Sequence, residues 1–155
     1  MTGPSAHTWR RRGWALLGGL VLVATGCSGG AEPAAAPEPE WPQTTVDLAV
    51  TATEFSFDHD RWAIPAGQEI TLSFINGGTI PHGWAILRNG TTVHSGTELR
   101  QEMVLFEVEA IAEGTVTSQT FTINVAGTYQ VVDMLGGQFD AGMSGELLVA
   151  PAAPL

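Results

Sequence analysis

The sequence predicts an all-β domain, and three observations support this prediction. The chain has 155 residues, of which 44% are hydrophobic and 14% are charged, so it can bury one core of ordinary size. From about residue 44 onward, apolar residues alternate with period two, and Thr, Val and Ile are frequent. Turn-forming residues separate the alternating runs at short intervals. Many short strands at this spacing are typical of a β-sandwich or a small barrel.

The alternating runs define the expected strands of the domain in chain order. They cover residues 45–53, 61–64, 69–76, 83–88, 91–95, 103–109, 115–125, 127–133 and 145–150. The turns between them are marked by Pro65-Ala66-Gly67, Asn76-Gly77-Gly78, Asn89-Gly90, Ala126-Gly127 and Gly136-Gly137. Asn89-Gly90 is the strongest of these signals for a β-hairpin. Residues 101–112 alternate as a strand would, and we predict no long amphipathic helix.

The first 26 residues are predicted to be a lipoprotein signal peptide. Arg10, Arg11 and Arg12 precede an apolar run over residues 14–24, which is much shorter than the roughly 20 residues of a membrane-spanning helix. The run leads into Ala24-Thr25-Gly26-Cys27, which resembles the lipobox of bacterial lipoproteins. This resemblance implies that Cys27 is lipidated and anchors an extracytoplasmic protein to the bacterial cell membrane. The alternative is an ordinary cleavage site beside an incidental cysteine.

Two further segments flank the predicted domain, which spans residues 44–150. Residues 27–43 are expected to form a linker, because Gly, Ala, Pro and Glu dominate this stretch and cannot bury surface. Residues 151–155 are expected to be a short tail.

The charge and the motif content exclude several functions. Lys and Arg total 6 against 16 Asp and Glu, and lysine is absent, so we expect no nucleic-acid partner. A single cysteine can form neither an intramolecular disulfide nor a paired-cysteine zinc motif. The sequence contains no Ser-His-Asp order, no nucleophile elbow and no phosphate loop, so we expect no enzyme.

Two segments, residues 74–82 and 127–145, carry the strongest functional signal. The first reads Phe-Ile-Asn-Gly-Gly-Thr-Ile-Pro-His, and the second begins Gly-Thr-Tyr-Gln and closes on Gly-Met-Ser-Gly. Together with residues 48–67, they make the whole domain resemble a cupredoxin. The resemblance implies a Greek-key β-sandwich with copper at one end. In that family the ion is held by a histidine that follows an Asn-containing strand end, and by a C-terminal loop that supplies cysteine, histidine and methionine.

The resemblance also implies which residues occupy the ligand positions. His82 matches the first histidine and Met143 the axial methionine, while Asp133 and Gln138 replace the cysteine and the second histidine. Blue copper requires a thiolate, so we expect no type 1 centre. Imidazole and thioether groups suit Cu(I), and the oxygen donors suit Cu(II). The four residues therefore form a candidate non-blue copper site for copper binding or handover.

A metal-free alternative follows from the alternation of side chains. Tyr129, Val131 and Asp133 share one face of their strand, which directs Asp133 inward. A buried carboxylate needs a partner, and a hydrogen bond or ion pair with His82 would form a polar plug at the position of the copper.

In that case the domain is an interaction module that docks on a membrane-bound partner. Trp84, Ile80 and the Gly136-Gly137 loop are the expected docking rim, and a redox or copper-handling protein is the expected partner. Conventional blue-copper electron transfer is a third hypothesis, which is implied by the family resemblance alone.

Overall fold

The computed structural model describes residues 40–152, which form two packed β-sheets and confirm the predicted all-β sandwich. The strands are β1 (Asp47–Thr53), β2 (Ser56–Phe57), β3 (Arg61–Pro65), β4 (Glu69–Asn76), β5 (His82–Leu87), β6 (Val104–Ile111), β7 (Val116–Thr122), β8 (Gly127–Val132) and β9 (Ser144–Ala150). Two short 3-10 turns, Gly96–Glu98 and Gln101–Met103, precede β6. Within this range no helix has the length and apolar character to cross a membrane. The predicted signal peptide, Cys27, most of the linker and the last three residues lie outside the described range.

The strand directions bring several loops together. One sheet has the order β2-β1-β4-β7, and the other has the order β3-β9-β8-β5-β6. β1 is parallel to β4 and β3 is parallel to β9, whereas the other pairs are antiparallel. As a result, the β1–β2 turn, the loop 77–81 and the loop 133–143 lie at one end of the sandwich. We call this the site end.

The main core lies between the two sheets. In β1 and β4 every second residue is buried, so each strand presents one apolar face to the opposite sheet. Phe74, Ile86 and Leu147 are fully buried in this core, and each contributes about 1.5–3 kcal/mol by burial. The alternation that predicted the strands therefore also orients their side chains.

A second, smaller apolar cluster lies outside the main core. Its buried members are Ala85, Leu87, Val93, Val104 and Val132, and its half-buried members are Leu99, Met103, Met134 and Phe139. Both faces of β5 are covered for this reason, and all six of its residues are buried.

The structure contradicts the predicted strand 91–95 and the predicted hairpin at Asn89-Gly90. Gly90 has φ +76°, and the amide of Thr91 donates to Arg88 O at 2.9 Å, so the turn itself exists. The chain after the turn does not return as a strand. Instead, the side-chain amide of Gln130 pairs with the backbone N–H and C=O of Val93 at 2.9 and 3.0 Å. These bonds replace a strand ladder, because they satisfy the backbone groups that a partner strand would have paired.

The sequence analysis did not predict β2, which has only two residues. β2 pairs with the end of β1, so that Glu54 and Phe55 form the turn between them. Phe55 has φ +66°, in the left-handed region, where a side chain carries steric strain. This residue is 54% exposed. The turn therefore presents a strained, solvent-exposed aromatic residue at the site end.

Candidate metal site

His82 and Asp133 form a fully buried pair at the site end. His82 is the first residue of β5, and Asp133 directly follows β8. His82 Nδ1 lies 3.1 Å from Asp133 Oδ2, and both side chains have no exposed surface. A carboxylate can only accept, so Nδ1 carries the proton when Asp133 is ionised. The hydrogen bond of the metal-free alternative is therefore present.

Asn76 shapes the loop that leads to His82. Its Nδ2 donates to Ile80 O at 2.8 Å and to Ile111 O at 2.9 Å, and its Oδ1 accepts from the amide of Gly78 at 2.9 Å. All three bonds are made by one buried side chain at the end of β4. The sequence analysis used Asn76 only as part of a motif. The Asn-Gly-Gly order at a strand end was the available signal for this role.

Glu54 holds the same loop from the outside. Its Oε1 accepts from the backbone N–H and from the hydroxyl of Thr79, the latter at 2.7 Å. These two hydrogen bonds lower the pKa of Glu54 to about 2, so the side chain is an anion at neutral pH. Sequence reasoning missed this residue, because nothing in the local pattern connects two positions that lie 25 residues apart.

The loop 133–143 positions the other three candidate residues. Asp133 Oδ1 accepts from the amide of Leu135 at 2.9 Å, and the amide of Asp133 donates to Met143 O at 3.2 Å. The amide of Met143 donates to Gln138 O at 3.0 Å. Asp133 and Met143 are fully buried, and Gln138 is 7% exposed. The backbone of this loop therefore ties the three residues together beneath the surface.

Two buried atoms of the site lack a hydrogen-bond partner among residues 40–152. They are His82 Nε2 and Gln138 Oε1. Leaving a buried polar group unpaired costs about 1–3 kcal/mol, so such groups in folded proteins usually have a function or a bound partner. Gln138 Oε1 is an acceptor, and a cation is one partner that could satisfy it.

The side chains at the site do not fit type 1 blue copper. That centre needs two imidazoles and a thiolate, whereas residues 40–152 contain no cysteine, and the site has one imidazole. Within the same range, no three His, Cys, Asp or Glu side chains lie together as metal ligands. Any ion here would depend on the amide of Gln138 and the thioether of Met143 beside His82 and Asp133. This mixed donor set fits a non-blue copper ion that is bound more weakly than the ion of a type 1 centre.

Trp84 does not belong to the expected docking rim. It is fully buried and packs edge-on against Trp62 and Phe106, with ring centroids 6.0 and 6.5 Å away. The expectation was wrong because β5 directs this side chain into the main core. Ile80 is 37% exposed, so it is available at the surface as expected.

Replacing Gly78 by alanine is expected to destabilise the site end. A Cβ at Gly78 would lie 3.0 Å from both Glu54 Oε1 and His82 Nε2, so both side chains would have to move. Such overpacking costs about 1–3 kcal/mol, measurable as a lower denaturation midpoint. Gly136→Ala is the matched control, because a Cβ there meets nothing within 4 Å. Equal midpoints for the two variants would show that the space around Gly78 is not tight.

Comparison with solved structures identifies the architecture. The structure superimposes on auracyanin from Roseiflexus castenholzii with a TM-score of 0.61, at 21% identity, over 70% of this chain and 100% of that chain. Auracyanin A, a blue copper protein from Chloroflexus aurantiacus, gives 0.55 at 21% identity, over 67% of this chain and 99% of that chain. Rusticyanin from Thiobacillus ferrooxidans gives a TM-score of 0.55 at 19% identity, over 69% of this chain and 79% of that chain.

The sequence itself matches no protein-family model and no curated protein. At the identities found, structural similarity establishes the fold and leaves the ligands and the activity open. Residues 40–152 of this chain form a cupredoxin-like β-sandwich.

Proposed function

We propose that the protein is a lipid-anchored, extracytoplasmic cupredoxin-like protein that binds copper at a non-blue site and holds it for transfer. One observation carries this proposal. Four buried side chains with copper-binding donor atoms occupy one end of the sandwich, and Gln138 Oε1 among them is buried without a donor in the described region. His82 and Met143 would supply nitrogen and sulfur, and Asp133 and Gln138 would supply oxygen. Auracyanin A, with the same fold, is a blue copper protein.

The residues at the site favour storage or handover of copper over electron transfer. A bound ion would supply Lewis acidity and a redox couple, but rapid electron transfer in this fold depends on a thiolate that the site lacks. An ion held between His82 Nδ1 and Asp133 Oδ2 would take the place of the hydrogen bond that joins them, whereas His82 Nε2 has no hydrogen-bond partner among residues 40–152.

The second candidate function is a metal-free docking module, and two observations favour it. The His82–Asp133 bond already pairs two buried polar groups without an ion. At the same end, Phe55 and Ile80 are 54% and 37% exposed, and a contiguous apolar patch that included both would be an interaction site. In this case the site end would bind a membrane-bound partner protein.

Titration of the purified protein with Cu(I) and Cu(II) separates the two candidates. We expect one equivalent of copper to remain bound after desalting, and His82→Ala to weaken binding by about tenfold or more. His94→Ala, which removes an exposed histidine, is the control for surface binding and should retain the site. Absence of stoichiometric binding in all three proteins would reject the copper proposal and favour the docking module.

Replacing Cys27 by alanine is expected to release the protein from the membrane fraction. The lipobox-like residues 24–27 support lipidation of Cys27. An acidic chain with few basic residues has no electrostatic attraction to anionic lipids, so the acyl chains would provide the anchoring. Fractionation of cells that express a C-terminally tagged chain measures the distribution, with Ser28→Ala as the control. If Cys27→Ala remained in the membrane fraction, another element would be the anchor.

A further inference from the structure

The ring of His82 has one strong directional contact, and its orientation needs a further explanation. Nδ1 is bonded to Asp133, whereas Nε2 is buried without a hydrogen-bond partner in residues 40–152. The two ring nitrogens of a histidine are chemically distinct, so rotation of the ring would exchange a bonded atom for an unbonded one. The bond to Asp133 holds the ring at one nitrogen, and the atoms near Nε2 determine how much room the ring has to rotate.

The loop 77–81 supplies some of these atoms. A Cβ at Gly78 would lie 3.0 Å from His82 Nε2, so this edge of the ring occupies the space that a side chain on Gly78 would need. The same Cβ would lie 3.0 Å from Glu54 Oε1. The imidazole and the carboxylate therefore approach each other beside Gly78, where only glycine leaves room for both.

Glu54 determines how firmly this backbone is held. Two hydrogen bonds from Thr79 end on a single oxygen of Glu54, and the carboxylate is ionised at neutral pH. Hydrogen bonds to a charged acceptor are stronger than those between neutral groups. Asn76 holds the loop from beneath through Gly78 and Ile80, and Glu54 closes it from the β1–β2 turn.

We propose that Glu54 is a positioning residue for His82. By binding Thr79, it fixes the loop beside the ring, limits the space around Nε2 and keeps Nδ1 directed at Asp133. Asp133 thus acts on one ring nitrogen by direct contact, and Glu54 acts near the other through the loop. This role concerns the ring in the protein alone and goes beyond the proposed copper binding, so each can fail independently of the other.

The test uses full-length, isotope-labelled protein without added metal. In Glu54→Ala, we expect the Thr79 amide to exchange with solvent about tenfold faster or more, because its acceptor is lost. We also expect the ring nitrogen resonances of His82, identified by their loss in His82→Ala, to shift or to split into two sets. Glu54→Gln keeps an acceptor oxygen and should restore most of the wild-type signals. Glu109→Gln, an exposed glutamate of β6, is the matched control and should change neither readout.

Two outcomes would overturn the proposal. One is unchanged exchange at Thr79 in Glu54→Ala, and the other is faster exchange with His82 resonances identical to those of the wild type. If Glu54→Ala does not fold, Thr79→Val tests the proposal instead, because it removes only the hydrogen bond from the Thr79 hydroxyl to Glu54. A shift of the His82 resonances in Thr79→Val supports the role, and unchanged resonances reject it.

Discussion

Replacing Asp133 by cysteine and Gln138 by histidine in one chain is expected to produce a protein that turns intensely blue with Cu(II). The double variant would supply the thiolate and the second imidazole beside the existing His82 and Met143, which completes the ligand set of a type 1 centre. The backbone conditions for this change are present, because Asp133 and Met143 are fully buried and are joined by a backbone hydrogen bond of 3.2 Å.

Visible absorption and electron paramagnetic resonance of the copper-loaded double variant measure this result. Asp133→Ser with Gln138→His is the matched control, since it has the same number of substitutions and no thiolate, and it should remain colourless or pale. A double variant that folds and binds copper without the blue absorption would show that the loop 133–143 does not direct its side chains as the resemblance implies.

Replacing Asp133 alone by alanine is expected to lower the unfolding free energy by about 2–5 kcal/mol, because two donors, His82 Nδ1 and the Leu135 amide, lose their acceptor. The substitution leaves His82 buried without its partner, and removing one member of a buried pair costs more than removing both. It also removes the acceptor of the Leu135 amide, which helps to hold the loop 133–143. The loss is measured by urea denaturation, with Asp47→Ala, an exposed aspartate of β1, as the control.

The double variant His82→Leu with Asp133→Leu tests whether the loss of stability comes from an unpaired polar group or from lost packing. Two apolar residues leave no unpaired polar group at these positions, so this variant should be more stable than Asp133→Ala. If Asp133→Ala unfolded at the same urea concentration as the wild type, the pair would contribute nothing to stability. A purely structural role of the His82–Asp133 pair would then be rejected.

The strands of the sandwich could be predicted where one face is polar. β4 begins and ends at the predicted residues, because polar and apolar side chains alternate from Glu69 to Phe74 and Asn76 marks the turn that follows. The same alternation correctly directed Asp133 inward. It could not orient Trp84, since β5 is a continuous apolar run after His82, and such a run does not reveal which face meets the core.

The candidate site was predictable only in part. The resemblance to the family identified His82 and the loop 133–143 as parts of one site. The hydrogen bond between His82 and Asp133 then requires only that the start of β5 and this loop meet at the site end. Glu54 acts across the fold from a turn that no local signal marked. The predicted strand 91–95 was wrong for a related reason, because the side chain of Gln130, distant in sequence, pairs with the backbone of Val93.

The second apolar cluster has a consequence for loop grafting. Met134 and Phe139 belong to the loop 133–143 and pack against this cluster, and Asp140 of the same loop accepts from the amide of Gly96 at 2.6 Å. The loop is therefore fastened on its outer side by residues that play no part in the candidate ligand set. A donor loop of the same length could carry other ligand residues and keep these attachments, whereas a shorter or longer one would lose them. In this domain the chemistry of the loop can be edited, but its length is set by the scaffold.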